Sequence, residues 1–198
     1  MRLLRERILS DGKHLGGGIL KVDSFMNHQI DSSLMQSVGG EFARRFRDLH
    51  PTKILTAEIS GIAPALATAM ALGIPVIFAR KQQPVTMIGN PFRETAPSHT
   101  KGRLIELLVS PEYLLPTDRV LIIDDFLATA QTILALVKLI EQSRAQLVGI
   151  GAVIEKRYEG GRIPLESLDV PIESLAIIEG VEGERIILQE LGELELLK

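Results

Sequence analysis

No cysteine occurs anywhere in the 198 residues. Disulfides, thiolate metal sites and a cysteine nucleophile are therefore excluded. A dominant charge is missing too. The chain has 22 basic and 25 acidic residues, a formal charge of −3, which gives no general pull toward nucleic acid or an anionic membrane. No apolar run approaches the roughly 20 residues that span a bilayer. The first residues, Met1-Arg2-Leu3-Leu4-Arg5-Glu6-Arg7, are charged. They lack the apolar stretch of about 7–15 residues that a secretory signal carries. Internal repeats, low-complexity tracts and domain linkers are not seen. The four histidines, His14, His28, His50 and His99, share no metal-ligand spacing, and no Ser-His-Asp arrangement or nucleophile elbow can be read. The expectation is a soluble cytoplasmic protein with one domain over 1–198. Its composition, 45% hydrophobic and 24% charged, supports a substantial core.

Alternating helical and strand-like periodicity organises what is there. Residues 1 to about 10 suggest an amphipathic helix with Leu3, Leu4, Ile8 and Leu9 inward. Gly16-Gly17-Gly18 reads as a flexible turn, because no strand–helix context surrounds it. Ile19 to Ile30 reads as a short extended piece and a polar loop. Asp31 or Ser32 can cap a helix running to about Leu49, with Leu34, Val38, Phe42, Phe46 and Leu49 on one face. Gly39-Gly40 within it implies close packing, since each glycine costs about 1 kcal/mol relative to alanine. Lys53 to Ala57 and Pro75 to Ala79 read as strands joined by a helix ending near Leu72, which argues for a parallel, right-handed crossover. Residues 82–102 break the rhythm, and their prolines and weak periodicity predict a flexible loop of the lid type. Further strands are expected at Arg103 to Val109, Leu147 to Ile154, Ile172 to Ile178 and Arg185 to Leu188.

The chemistry concentrates between Arg119 and Thr132. Val120-Leu121-Ile122-Ile123, β-branched at three of four positions, predicts a buried strand. Asp124 and Asp125 sit together where that strand should end. Small and hydroxyl residues follow, and a helix begins near Ile133. That order sets backbone N–H groups and a positive helix end beside two carboxylate acceptors, an arrangement suited to a sugar phosphate.

This segment resembles the signature of the type I phosphoribosyltransferases that binds 5-phosphoribosyl 1-diphosphate (PRPP): an apolar strand, Asp-Asp, two variable residues, then Ala-Thr-Gly-Gly-Thr. Asp124, Asp125, Ala128, Thr129 and Thr132 match, while Ala130 and Gln131 replace the two glycines. The wider chain, on Leu20 to Asp31 and Val153-Ile154-Glu155-Lys156, is similar to the bacterial xanthine branch of that family. The resemblance implies an α/β fold, a twisted and mainly parallel sheet flanked by helices. It also implies a small hood from about 1–35 and the C-terminal region. It implies transfer of a phosphoribosyl group from PRPP to xanthine, Mg²⁺ bound with PRPP rather than in a protein cage, and a homodimer.

By the same resemblance Asp124 and Asp125 hold the ribose. Ala128, Thr129, Ala130, Gln131 and Thr132 cradle the 5-phosphate. Ile59, Ser60 and Gly61 bind diphosphate, with Arg80 and Lys81 as its cations. Leu20, Asn27 and Lys156 face the purine, and Phe126 or Phe25 is placed to stack on it. Lys156 and Asn27 are donors, and xanthine offers carbonyl oxygens at positions 2 and 6. Two alternatives remain open: guanine or hypoxanthine as acceptor, and a PRPP-sensing regulator without catalysis. Neither the basic face nor the DNA-binding appendage that such a regulator needs is visible.

Overall fold

The apolar run at Val120–Ile123 lies in the middle of the sheet, covered on both faces. The computed structural model describes residues 1–97 and 104–190. In chain order come helix α1 (Arg2–Asp11), short strands β1 (Lys13–His14) and β2 (Leu20–Lys21), and a π-helical turn at Asp23–Asn27. Then follow α2 (Ser32–Phe46), β3 (Lys53–Ala57), α3 (Ile62–Leu72), β4 (Val76–Ala79), β5 (Phe92–Pro97) and β6 (Leu104–Val109). The chain continues through β7 (Arg119–Leu127), α4 (Gln131–Ser143), β8 (Gln146–Lys156), β9 (Ile172–Glu182) and β10 (Arg185–Leu188). Six strands form one sheet in the order β10-β9-β8-β7-β3-β4. All neighbours in it are parallel except the edge strand β10, which pairs antiparallel with β9.

Both faces of β3 and β7 are buried, which is why their sequences are nearly continuous in apolar residues rather than alternating. Ile54, Leu121 and Ile123 join Phe42 and Phe46 of α2 in one core cluster. Leu55, Ile122 and Ile150 join Leu136 and Leu139 of α4 in the other. Helix α2 is capped by Asp31, whose Oδ1 accepts from the backbone N–H groups of Ser33 and Leu34 at 3.1 and 3.0 Å. It ends at Phe46, earlier than its periodicity suggests, and a 3-10 turn carries the chain to Leu49. Gly39 explains its place: a Cβ there would lie 2.4 Å from the Ala67 backbone of α3, whereas Gly40 faces open space. In α1 only Leu4 and Ile8 are buried, so Leu3 and Leu9 are not part of the core.

Two expectations need correction. The signature strand does not stop at the carboxylates. Parallel pairing of Asp124 with Ala152, Phe126 with Ile154 and Leu127 with Glu155 carries β7 past both of them. Residues 82–102 are also not one loop. Phe92–Pro97 pairs antiparallel with Leu104–Val109, with alternating burial along β5. Pro91 and Pro97 bracket this strand and mask its two-residue period. The remainder of that segment, 98–102, lies outside the described residues.

From β3 the chain moves outward to β4, while from β7 it moves the other way through β8 to β9. The direction reverses between β3 and β7. Ligands of open α/β sheets collect beyond the carboxyl ends of strands at such a point.

Candidate active site

Two loops leave the carboxyl ends of the strands flanking that reversal: Glu58–Gly61 after β3 and Ala128–Ala130 after β7. Beside them lies a cavity of about 300 Å³. Asp124, Asp125 and Phe126 contribute to its wall, as do Ala128 through Thr132. Leu20 and Asn27 line it from the N-terminal segment, Ser60 from the β3 loop and Lys156 from the end of β8. Gly61 is not among the lining residues, but it lies so close to Asp124 that a Cβ would stand 2.6 Å from Oδ1. The exposed side chain of Ile59 lines a neighbouring groove instead. Lys81 is exposed at the exit of β4, and its backbone N–H donates to Glu58 Oε1 at 2.6 Å.

Both carboxylates are buried, Asp124 at 6% exposure and Asp125 at 9%. Asp124 Oδ1 accepts the Asp125 N–H at 3.0 Å. Burial pushes the Asp124 carboxyl well above its ordinary value, the adjacent Asp125 adds to the shift, and the positive Lys81 opposes it. The empty site therefore resists carrying two negative charges side by side, and hydroxyl donors or a cation placed there would ease ionisation of the pair.

Ala130 takes φ 63°, ψ 7°, and α4 starts at the next residue. A left-handed residue directly before a helix turns successive N–H groups inward, as a phosphate nest requires. Alanine keeps the geometry that a glycine would adopt freely, at a cost of about 1–2 kcal/mol. The turn is braced from outside by Gly161, whose N–H donates to Ala128 O at 2.9 Å. Sequence reading missed this brace, because Gly161 lies 31–33 residues downstream of the turn it supports and carries no motif.

Lys156 is 7% exposed and amply partnered. Its ammonium donates to Gly18 O at 2.6 Å, lies 3.2 Å from Glu159 Oε1, and stands 5.3 Å from the centre of the Phe126 ring. It makes no pair with Glu155. That carboxylate instead takes two bonds from Arg162, Nε to Oε1 at 2.9 Å and Nη2 to Oε2 at 2.5 Å, and one from Ser174 Oγ at 2.6 Å. Burial alone would raise the Glu155 carboxyl, but these partners carry it below its ordinary value. Two further candidates lie elsewhere. Phe25 is fully buried in the core, with Arg7 over its ring, so it is not in the cavity wall. Arg80 pairs with Glu58 at 2.9 Å and lies over Phe78, so its charge is already engaged.

Among known proteins, the model of the phosphoribosyl transferase domain matches residues 29–175. The chain belongs to the phosphoribosyltransferase family. Curated relatives named xanthine phosphoribosyltransferase include one from Deinococcus deserti, 50% identical over 96% of this chain and 98% of that one. Another, from Bacillus mycoides, is 47% identical over 98% of this chain and 100% of the relative. Solved structures share the architecture at lower identity. Adenine phosphoribosyltransferase from Giardia lamblia, complexed with 9-deazaadenine, superposes with a TM-score of 0.74 at 19% identity, covering 90% of this chain and 98% of that one. The enzyme from Thermoanaerobacter pseudethanolicus gives 0.71 at 22%, covering 88% and 98%. The mainly parallel sheet between helical layers is thus the type I phosphoribosyltransferase fold. Among the described residues no helix is long and apolar enough to cross a membrane.

Proposed function

We propose that this phosphoribosyltransferase moves the 5-phosphoribosyl group of PRPP onto xanthine, releasing diphosphate and forming xanthosine 5′-monophosphate. The relatives' names support the base, and one geometric observation carries it. A buried, charged Lys156 shares a small cavity with the carboxylate pair and the phosphate turn. An ammonium has three protons. Gly18 O accepts one of them and Glu159 Oε1 stands 3.2 Å away as an ion pair, so the ammonium keeps donor capacity for a carbonyl oxygen of the base. Asn27 offers an amide donor from the N-terminal segment, while Leu20 and Phe126 supply apolar contact. A buried donor left without an acceptor costs about 1–3 kcal/mol, so bases lacking the oxygen are disfavoured.

In this reading Asp124 and Asp125 accept from the ribose hydroxyls and steady positive charge at the anomeric carbon. The N–H groups of Ala128 to Thr132 hold the 5-phosphate. Ile59 to Gly61 and Lys81 bind the leaving diphosphate, and the end of β5, with Pro97 at the cavity wall, helps shut out water that would hydrolyse PRPP. Bound Mg²⁺ supplies charge neutralisation at the diphosphate. Among the described residues no group of three or more His, Asp or Glu side chains is gathered to hold a metal. The crowded oxygen donors of Asp124 and Asp125 suit an ion that arrives on PRPP oxygens beside them. α1, β1–β2 and the turn at Asp23–Asn27, with β9–β10, are read as the hood. The protein is read as cytoplasmic and as engaging neither nucleic acid nor membrane. A homodimer fits the groove of about 800 Å³ beside the site, where Ile30, Ile59, Leu66 and Met70 stand exposed. Sedimentation at monomer mass would end that part of the reading.

The deciding experiment is diphosphate release from PRPP and Mg²⁺ across a purine panel. Xanthine is expected to be the preferred base. Lys156→Ala should lower kcat/KM for xanthine about 10–100-fold and narrow the preference over hypoxanthine and guanine. If xanthine came last in the panel, the assignment of the base would fall.

A further inference from the structure

Thr56 is the polar member of an otherwise apolar strand interior, Ile54-Leu55-Thr56-Ala57, and it is fully buried. Its Oγ1 has no hydrogen-bond partner among the described residues. Valine has the same outline without the hydroxyl, so packing alone gives no reason for threonine here. Gly61 shows where the hydroxyl lies. A Cβ at Gly61 would stand 2.2 Å from Thr56 Oγ1 and 2.6 Å from Asp124 Oδ1. The absent side chain thus leaves one small gap bounded by an orphan donor and a site carboxylate. Asp124 Oδ1 already accepts the Asp125 N–H, and a carboxylate oxygen has room for a second donor.

We propose that Thr56 is a positioning residue for Asp124, donating its hydroxyl to Oδ1 when the sugar is seated. Held at Oδ1 from two sides, the carboxylate turns Oδ2 toward the ribose hydroxyls in one orientation. Gly61 serves both sides of the arrangement, since any side chain there would wedge between donor and acceptor. The inference rests on the phosphoribosyl-transfer reading above and assigns a further residue to it.

Thr56→Val removes the hydroxyl and keeps the shape; Thr56→Ser keeps the hydroxyl. The full chain is assayed with Mg²⁺, PRPP and xanthine, and ribose 5-phosphate binding is measured separately by calorimetry. For Thr56→Val we expect about tenfold lower kcat/KM for PRPP and about tenfold weaker ribose 5-phosphate binding, the scale of one hydrogen bond to a charged group. Its KM for xanthine should stay within about twofold of the parent, and its melting temperature should match or exceed the parent's, because an unpartnered buried hydroxyl is gone. Thr56→Ser should lie within about threefold of the parent in both assays. Parental behaviour of Thr56→Val overturns the proposal. So does a Thr56→Ser that fails like Thr56→Val, which would make the methyl group, not the hydroxyl, the feature that matters. A parent that binds ribose 5-phosphate but releases no diphosphate would sink the proposed function, and the binding comparison would then decide on Thr56. A parent that binds no ribose 5-phosphate overturns both.

Discussion

Asp124→Asn should remove turnover on every purine and, in the same protein without substrate, raise the melting temperature at neutral and alkaline pH. The two effects share a cause. In the fold the Asp124 carboxyl is held above its ordinary value, first by burial and then by Asp125. The folded state therefore favours the neutral form more than the unfolded chain does. Stability from that preference is complete below the ordinary carboxylate range and drains away as pH rises through the raised folded value. Asparagine is neutral throughout and of similar size. The variant should thus gain nothing near pH 4 and show a higher melting temperature than the parent at pH 8. Turnover should fall about 10²–10³-fold, because a fixed negative group facing developing positive charge is lost. Thermal scans of the empty protein across pH check the first half, and initial rates check the second. A stability gap that stayed constant with pH, or that reversed at pH 8, would show that Asp124 is ionised at little cost. Such a result would contradict the burial argument.

That trade of stability for function also shows what could be read from the chain in advance. Asp124-Asp125 and Ala128 to Thr132 were legible because the motif is contiguous and follows a run apolar on both faces. The order of strands around it was legible from the spacing of helices. What escaped was set by tertiary neighbours. Pairing with β8 carries β7 through the carboxylates, and nothing local marks that. Proline at both ends concealed β5, whose alternation is shallow, half-buried against exposed. Lys156 was legible as a candidate. Its partners Gly18 and Glu159 were not, because Gly18 is 138 residues away and contributes only a carbonyl. Glu155 is the carboxylate next to Lys156 in the chain, yet adjacent residues on a strand point to opposite faces, and Arg162 holds it from the other side. At Ala130, where the motif carries glycine, the left-handed turn is present all the same, at the cost of local strain.

Gly161→Ala should impair the phosphate turn more than any other glycine substitution outside the motif. A Cβ there would stand 2.1 Å from Ala128 O and 2.7 Å from Ala130 N, and both obstacles are backbone. They cannot rotate away as a flexible side chain would. The segment carrying Gly161 cannot retreat freely either. The next residue, Arg162, is fixed to Glu155 by two bonds and to Ile172 O at 3.1 Å. With that side anchored, the added methyl drives Ala128–Ala130 toward the cavity and breaks the Gly161 N–H bond to Ala128 O. The N–H groups then no longer converge on one point. KM for PRPP should rise about 10–100-fold, while KM for xanthine, read by Lys156 and Asn27, should change by no more than about threefold. Ala130→Gly is the counter-experiment. It relieves the left-handed alanine and leaves the brace intact, so KM for PRPP should stay at or below the parental value. Initial rates at varied PRPP distinguish the outcomes. A Gly161→Ala protein with parental KM for PRPP would mean that the turn keeps its shape without the brace, and that the phosphate is gripped elsewhere.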